Sequence, residues 1–215
     1  MGFKWPANWE EKPLLQRVEN KTAYFKDGTS KEIDAIILCT GYQHYFPFIE
    51  DSLRLRTENR LWPLGLYKGV VWEDNPKLHY IGMQDQFYTF NMFDAQAWYS
   101  RDVIMDRISL PTQSEMRKDS AAWRAREEKL EDAEQMIWFQ GDYVKQLIDL
   151  TDYPSFDIET VNKTFMEWEH HKAENIMGFR NNSYRSVMTG TLSPAHHTPW
   201  LEAMDDSLES YLKAK

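Results

Sequence analysis

The run Asp34-Ala35-Ile36-Ile37-Leu38-Cys39 restricts the fold more than any other stretch, because its apolar residues are consecutive and do not alternate. A strand with one wet face alternates, whereas an unbroken apolar run reads as a strand covered on both faces of a parallel sheet. The run ends at Thr40-Gly41, where glycine lets backbone come close to a ligand. Upstream, Leu15-Gln16-Arg17-Val18 and Thr22-Ala23-Tyr24-Phe25 read as β structure, and the Asp-Gly pair in Lys26-Asp27-Gly28-Thr29 is a strong hairpin signal. The strand after that turn is expected over Ile33 to Cys39. Further short strands are expected at Gly69-Val70-Val71-Trp72 and Leu78-His79-Tyr80-Ile81-Gly82, separated by the turn Glu73-Asp74-Asn75-Pro76. The fold class is therefore α/β.

A helix is expected from about Met92 to Ile108, with Phe93, Ala97, Val103, Ile104 and Ile108 at apolar positions. From Ser114 the texture changes to charged, amphipathic helix, with Trp123, Leu130, Ala133 and Ile137 on one stripe. Gly141 is expected to break this helix before Tyr143 to Leu150 forms another. Asp157 or Thr160 can cap a helix running to about Arg180, and Thr198-Pro199 can open a last one through Tyr211. The composition shift near Pro111 is the best internal boundary.

Charge and composition exclude several classes. A formal net charge of −9, with no long Lys/Arg block, argues against nucleic acid or an anionic membrane as partner. The single cysteine, Cys39, lies inside the apolar run, so a buried, inert thiol and a reducing compartment are expected. No window approaches the roughly 18 apolar residues of a membrane span, and a soluble cytoplasmic protein is the expectation. Neighbouring histidines on a helix point about 100° apart, so His170-His171 and His196-His197 make poor shared metal sites, and no metal is expected. No set of nucleophile, base and orienter is present, and no catalytic residue is assigned.

Three stretches carry candidate binding residues. The first is Cys39-Thr40-Gly41-Tyr42, which taken alone is also an ordinary strand-ending turn. The second is Gly82-Met83-Gln84-Asp85-Gln86-Phe87-Tyr88-Thr89-Phe90-Asn91, leading into a helix whose unpaired N–H groups suit an electron-rich ring edge, although a plain capping loop reads the same way. The third holds Trp168, His170, His171 and Arg180, where indole and guanidinium groups can grip ribose and phosphate or simply face solvent.

Taken together these stretches resemble the flavin-containing monooxygenases. Tyr24 to Gly28 followed by Asp34 to Tyr42 is similar to the segment by which that family leaves its nicotinamide-binding domain and re-enters its flavin domain, with Cys39 in place of the Ala of an Ala-Thr-Gly-Tyr motif. The stretch from Gly82 through Asp94-Ala95-Gln96-Ala97-Trp98-Tyr99 resembles the bacterial trimethylamine monooxygenases, where the loop lies beside the isoalloxazine; Phe87 stands where Trp is expected. The likeness continues through Tyr184-Arg185-Ser186 and His196-His197-Thr198-Pro199-Trp200. It implies Gln86 and Thr89 as flavin contacts, Thr40, Gly41 and Asn91 as further cofactor-binding residues, Phe87 and Tyr88 as walls of the substrate pocket, and Arg180, with Trp168 second, as contacts to NADP.

The resemblance also implies part of a two-dinucleotide-binding-domain flavoprotein, FAD/NAD(P)-binding and Rossmann-like, with a helical C-terminal region. Residues 1–42 would end the NADP-binding domain, 43–110 would belong to the FAD-binding domain, and 111–215 would pack on it. The implied reaction is N-oxygenation of trimethylamine or related amines and sulfides, using FAD, NADPH and O2 through a C4a-hydroperoxyflavin. Neither Gly-x-Gly-x-x-Gly fingerprint is present, so the chain is expected to be a C-terminal portion that needs the N-terminal half of the enzyme, the whole forming a homodimer. A non-catalytic helical interaction module remains the competing class. A Baeyer-Villiger or N-hydroxylating relative is a second alternative, which the match from Gln86 to Trp98 disfavours.

Overall fold

A computed structural model describes residues 3–41, 44–55 and 59–193. Three strands, β1 (Leu15–Glu19), β2 (Thr22–Phe25) and β3 (Ser30–Glu32), form an antiparallel meander. Asn20, at φ 54°, turns β1 into β2 so that Glu19 faces Thr22. The next turn is fastened by Asp27, whose Oδ1 accepts from the Thr29 amide at 2.9 Å and hydroxyl at 2.7 Å, while Gly28 takes the positive φ. This is the Asp-Gly hairpin expected from the sequence.

The strand expected over Ile33 to Cys39 is not formed. Ile37 and Leu38 are 86% and 79% exposed, Cys39 is exposed as well, and among the described residues no strand pairs with this run. A non-alternating strand depends on neighbours along both edges and layers on both faces, and among the described residues none of these lies over it. Both sheets are antiparallel, and no parallel ladder forms among the described residues. The second sheet pairs β4 (Leu66–Tyr67) with β5 (Val71–Trp72). Residues 69–70, expected as strand, instead form its turn, with Lys68 and Gly69 both at positive φ. Of the stretch expected as strand over 78–82, only a bridge from His79 to Val71 appears.

Among the described residues four α-helices follow: α1 (Phe90–Ile104), α2 (Gln113–Glu127), α3 (Ala133–Asp149) and α4 (Ile158–Glu174). Capping sets their starts. Thr112 and Glu115 form a reciprocal box at α2, and Asp132 and Asp157 accept from Gln135 and Thr160 amides at α3 and α4. The break between α2 and α3 thus falls before Asp132. Gly141, expected to break a helix, lies inside α3. The last helix expected, over 198–211, lies outside the described residues.

The main core joins the β4–β5 hairpin to α1 and α3 through Trp62, Val70, Val71, Met92, Tyr99 and Phe139, with Trp62 stacked on Trp123 of α2 at 4.8 Å between ring centroids. Leu55, Leu66, Tyr80 and Met83 form a smaller cluster. Gly141 keeps its place because the fully buried Asn162 of α4 lies against it: a Cβ there would sit 2.5 Å from Asn162 Oδ1. Gly141→Ala should gain about 1 kcal/mol in helix propensity and lose more to overpacking, typically about 1–3 kcal/mol, since Asn162 has no room to retreat. In urea denaturation the variant should be less stable than the parent. Adding Gly141→Ala to Asn162→Ala should cost nothing further; an equal loss in both backgrounds would show that the two side chains do not meet.

Candidate functional site

The segment from Gly82 to Thr89 belongs to no strand, so its backbone groups must find partners elsewhere. Buried amides supply them. The Gly82 amide donates to Gln96 Oε1 of α1 at 2.9 Å, and Gln96 Nε2 donates to Gln84 Oε1 and to the Tyr143 hydroxyl, each at 2.8 Å. Gln84 Nε2 reaches the Gly69 carbonyl at 3.2 Å, and Tyr143 donates to the Lys68 carbonyl at 2.9 Å. A Cβ on Gly69 would lie 2.1 Å from Gln84 Nε2, so glycine is required there for closeness as well as for its positive φ. Burial pushes the Tyr143 phenol well above its ordinary value, so it stays a neutral donor.

The next residues are held from α3 and α4. Gln140 of α3 accepts from the amides of Phe87 at 2.5 Å and Tyr88 at 2.9 Å, and donates to the Asp85 carbonyl at 2.8 Å. The Asp85 amide in turn donates to the Arg60 carbonyl at 2.8 Å. Tyr88, expected in the wall of a substrate pocket, is instead 2% exposed and part of the core. Its hydroxyl donates to Asn162 Oδ1 at 2.7 Å, and burial raises its phenol. An aromatic residue in a loop turns toward whichever neighbour satisfies its hydroxyl, and here that neighbour is α4.

These restraints present Gln86 and Phe87 to two cavities. One, of about 400 Å³, is walled by Phe87, Phe165, Trp168 and Tyr184, with Gln86, Thr89 and Thr164 as its polar members. The other, of about 660 Å³, shares Gln86, Phe87 and Trp168 with it and is rimmed by charged groups including Arg60, Glu127 and Lys172. The Gln86 side-chain oxygen is buried and accepts no hydrogen bond from any described residue. Thr89 precedes α1 without capping it, which leaves its hydroxyl free of the helix.

Of the residues singled out in the sequence, Gln86, Phe87, Thr89 and Trp168 therefore meet on one cavity. Asn91 faces a third one, of about 200 Å³, across Thr164 and Phe165, with its Nδ2 3.2 Å from Met188 Sδ. Arg180 is exposed in a 3-10 turn (Phe179–Asn181), its guanidinium over the Phe179 ring, and lines none of these cavities. Thr40 and Gly41 are exposed on the unpaired run. Tyr42, His196 and His197 lie outside the described residues. Among the described residues, no group of three or more His, Cys, Asp or Glu could hold a metal ion.

Sequence reasoning missed Phe165, Tyr184 and Gln140. Phe165 shares a helix face with Trp168 three residues on, a spacing that could have found it. Tyr184 reaches the cavity through a 2.8 Å hydrogen bond between its hydroxyl and His171 Nδ1. Gln140 carries no signal of its own.

A family model described as flavin-binding monooxygenase-like matches residues 9–167. The trimethylamine monooxygenase of Roseovarius sp. (strain 217) is 63% identical over 213 residues, which are 99% of this chain and 48% of that protein. That of Pelagibacter ubique (strain HTCC1002) is 59% identical, with 99% and 48% covered. The crystal structure of Tmm from Pelagibacter sp. strain HTCC7211 superposes with a TM-score of 0.82 at 56% identity, over 98% of this chain and 48% of that one. The S-allyl-L-cysteine S-oxygenase of Allium sativum gives a TM-score of 0.62 at 26% identity, over 79% and 39%. The chain spans about half the length of the curated relatives it matches.

The placement of Tyr88 yields a direct test. Tyr88→Phe keeps the ring and removes the only described hydrogen bond to Asn162 Oδ1, so stability should fall by about 1–3 kcal/mol in denaturant unfolding. An unchanged midpoint would mean that the hydroxyl is not satisfied by α4.

Proposed function

The chain belongs to the flavin-binding monooxygenase-like family, and on that premise we propose that it is the portion of an FAD- and NADPH-dependent monooxygenase that walls the flavin ring and the substrate. The assembled enzyme then N-oxygenates trimethylamine or related amines and sulfides. The observation that carries this reading is the buried Gln86 oxygen, partnered by no described residue, on a side chain that lines an aromatic cavity. An orphaned acceptor in a buried place is costly, and a ring N–H of a flavin is a donor of the right kind. Flat walls from Phe87 and Trp168 suit a planar ring or a small apolar amine.

When bound, the flavin supplies electron transfer from the nicotinamide and activation of oxygen, the chemistry that side chains lack. This chain positions and shields. Gln86 and Thr89 fix the polar edge, while Phe87, Phe165, Trp168 and Tyr184 exclude water. Apolar walls also disfavour a charged ammonium, so the amine is presented uncharged, with its nitrogen lone pair free to take up oxygen. Arg180, exposed and outside the cavities, is available to a dinucleotide phosphate, and Thr40 and Gly41 to contacts made once the apolar run is covered. The partner that covers it is the remaining half of the relatives' length, with parallel strands to flank Ile36 to Leu38. No helix among the described residues is long and apolar enough to cross a membrane, and a soluble cytoplasmic enzyme fits the proposal.

Co-expression with the matching other half of the Roseovarius relative, with a tag on this chain only, tests the reading. The expected product is a two-part complex with oxidised-flavin absorbance that bleaches on adding NADPH and turns over trimethylamine. Gln86→Leu should weaken flavin retention by about three- to tenfold, the worth of one hydrogen bond. A colourless chain that retains no partner would overturn the proposal and favour a helical interaction module.

A further inference from the structure

We propose that Gln140 is a positioning residue for oxygenation: its buried side-chain amide fixes the backbone of residues 85–88 and thereby sets where Gln86 and Phe87 meet flavin and amine. The inference rests on the reading of the aromatic cavity given above. Gln140 is 1% exposed and lines none of the three cavities, so it acts on the site only through the loop.

The match between side chain and loop is specific. A primary amide presents, in one plane, an oxygen that accepts two hydrogen bonds and a nitrogen that donates. The loop offers two amides, from Phe87 and Tyr88, and one carbonyl, from Asp85, all within 2.9 Å of Gln140. Gln86 lies between the bonded residues, and its own amide turns back to Asp85 Oδ1 at 3.0 Å. Its side chain is therefore aimed by two fixed peptides on either side. Gln140 and Tyr143 are three residues apart on α3 and share a face, so one helix face holds the start of the loop through Gln84 and its end directly. The unpartnered Gln86 oxygen is the consequence: the clamp keeps it where no group of the described chain reaches it.

The test uses the assembled two-part enzyme. Gln140→Met keeps the size and removes all three bonds; Gln140→Glu keeps the two accepted ones and loses the donated one. With Gln140→Met, kcat/KM for trimethylamine should fall by roughly ten- to a hundredfold, the scale on which a misplacement of about 1 Å acts. KM should carry part of the loss. More NADPH and oxygen should end as NADP+ and hydrogen peroxide in place of amine oxide and water. Gln140→Glu should lie between Gln140→Met and the parent in coupling. A general weakening of the fold would lower the melting temperature and leave coupling and KM unchanged, which would overturn the inference. Should Gln140→Met fail to assemble, the Gln140→Glu coupling ratio decides alone, and parental coupling would sink the proposal. A parent complex without flavin would instead sink the reading of the cavity itself.

Discussion

A loop that belongs to no strand must still satisfy its peptide groups, and that requirement organises this molecule around one face of α3. Tyr143 closes a ring of buried amides with Gln84 and Gln96, and Gln140 takes the next three backbone groups. The stretch from Gly82 to Tyr88 is thereby as fixed as a strand without being one. Half-satisfied networks of this kind are costly and connected ones rigidify, and Gln140 accepts two hydrogen bonds and donates one to the loop. Gln86, which lies in the clamped stretch and lines the cavity, keeps a buried side-chain oxygen that accepts from no described residue.

The second constraint is the approach of α4. Gly141 lets the Asn162 side chain lie on the α3 backbone, and Asn162 in turn receives the Tyr88 hydroxyl. The same helix carries Phe165 and Trp168, so the depth at which α4 packs sets the width of the aromatic cavity. Packing, loop geometry and site are linked through a handful of buried polar atoms. The exposed run at Ile36 to Leu38 shows the opposite situation, apolar surface with no described element over it.

What was legible in the sequence was local. The Asp27-Gly28 turn, one of the two caps offered for α4 (Asp157, with Thr160 as the other) and the helix expected from about Met92, which runs Phe90–Ile104, each depend on a few neighbouring residues, and each formed. The run at Ile33 to Cys39 did not form a strand, because strand status depends on partners that its own residues do not supply. Gly141 was misread because propensity points to a break, whereas packing against Asn162 requires the absence of a side chain. Tyr88 looked like its neighbour Phe87 in sequence and differs only in having a hydroxyl for α4 to satisfy. Gln140 and Gln96 were invisible, since an amide on a helix reads as a solvated face until the fold buries it. Of the residues that the resemblance singled out between Gly82 and Tyr99, Gln86, Phe87 and Thr89 line one cavity, together with Trp168 of α4.

On the proposed function, the clamped loop holds Gln86 ready for the ring of a bound flavin. A crystal structure of the assembled enzyme with FAD tests it most directly. The expected result is a flavin ring N–H within hydrogen-bond distance of Gln86 Oε1, with Gln140 still bonded to Asp85, Phe87 and Tyr88. A flavin seated elsewhere, with Gln86 turned to solvent or bonded within the protein, would contradict it.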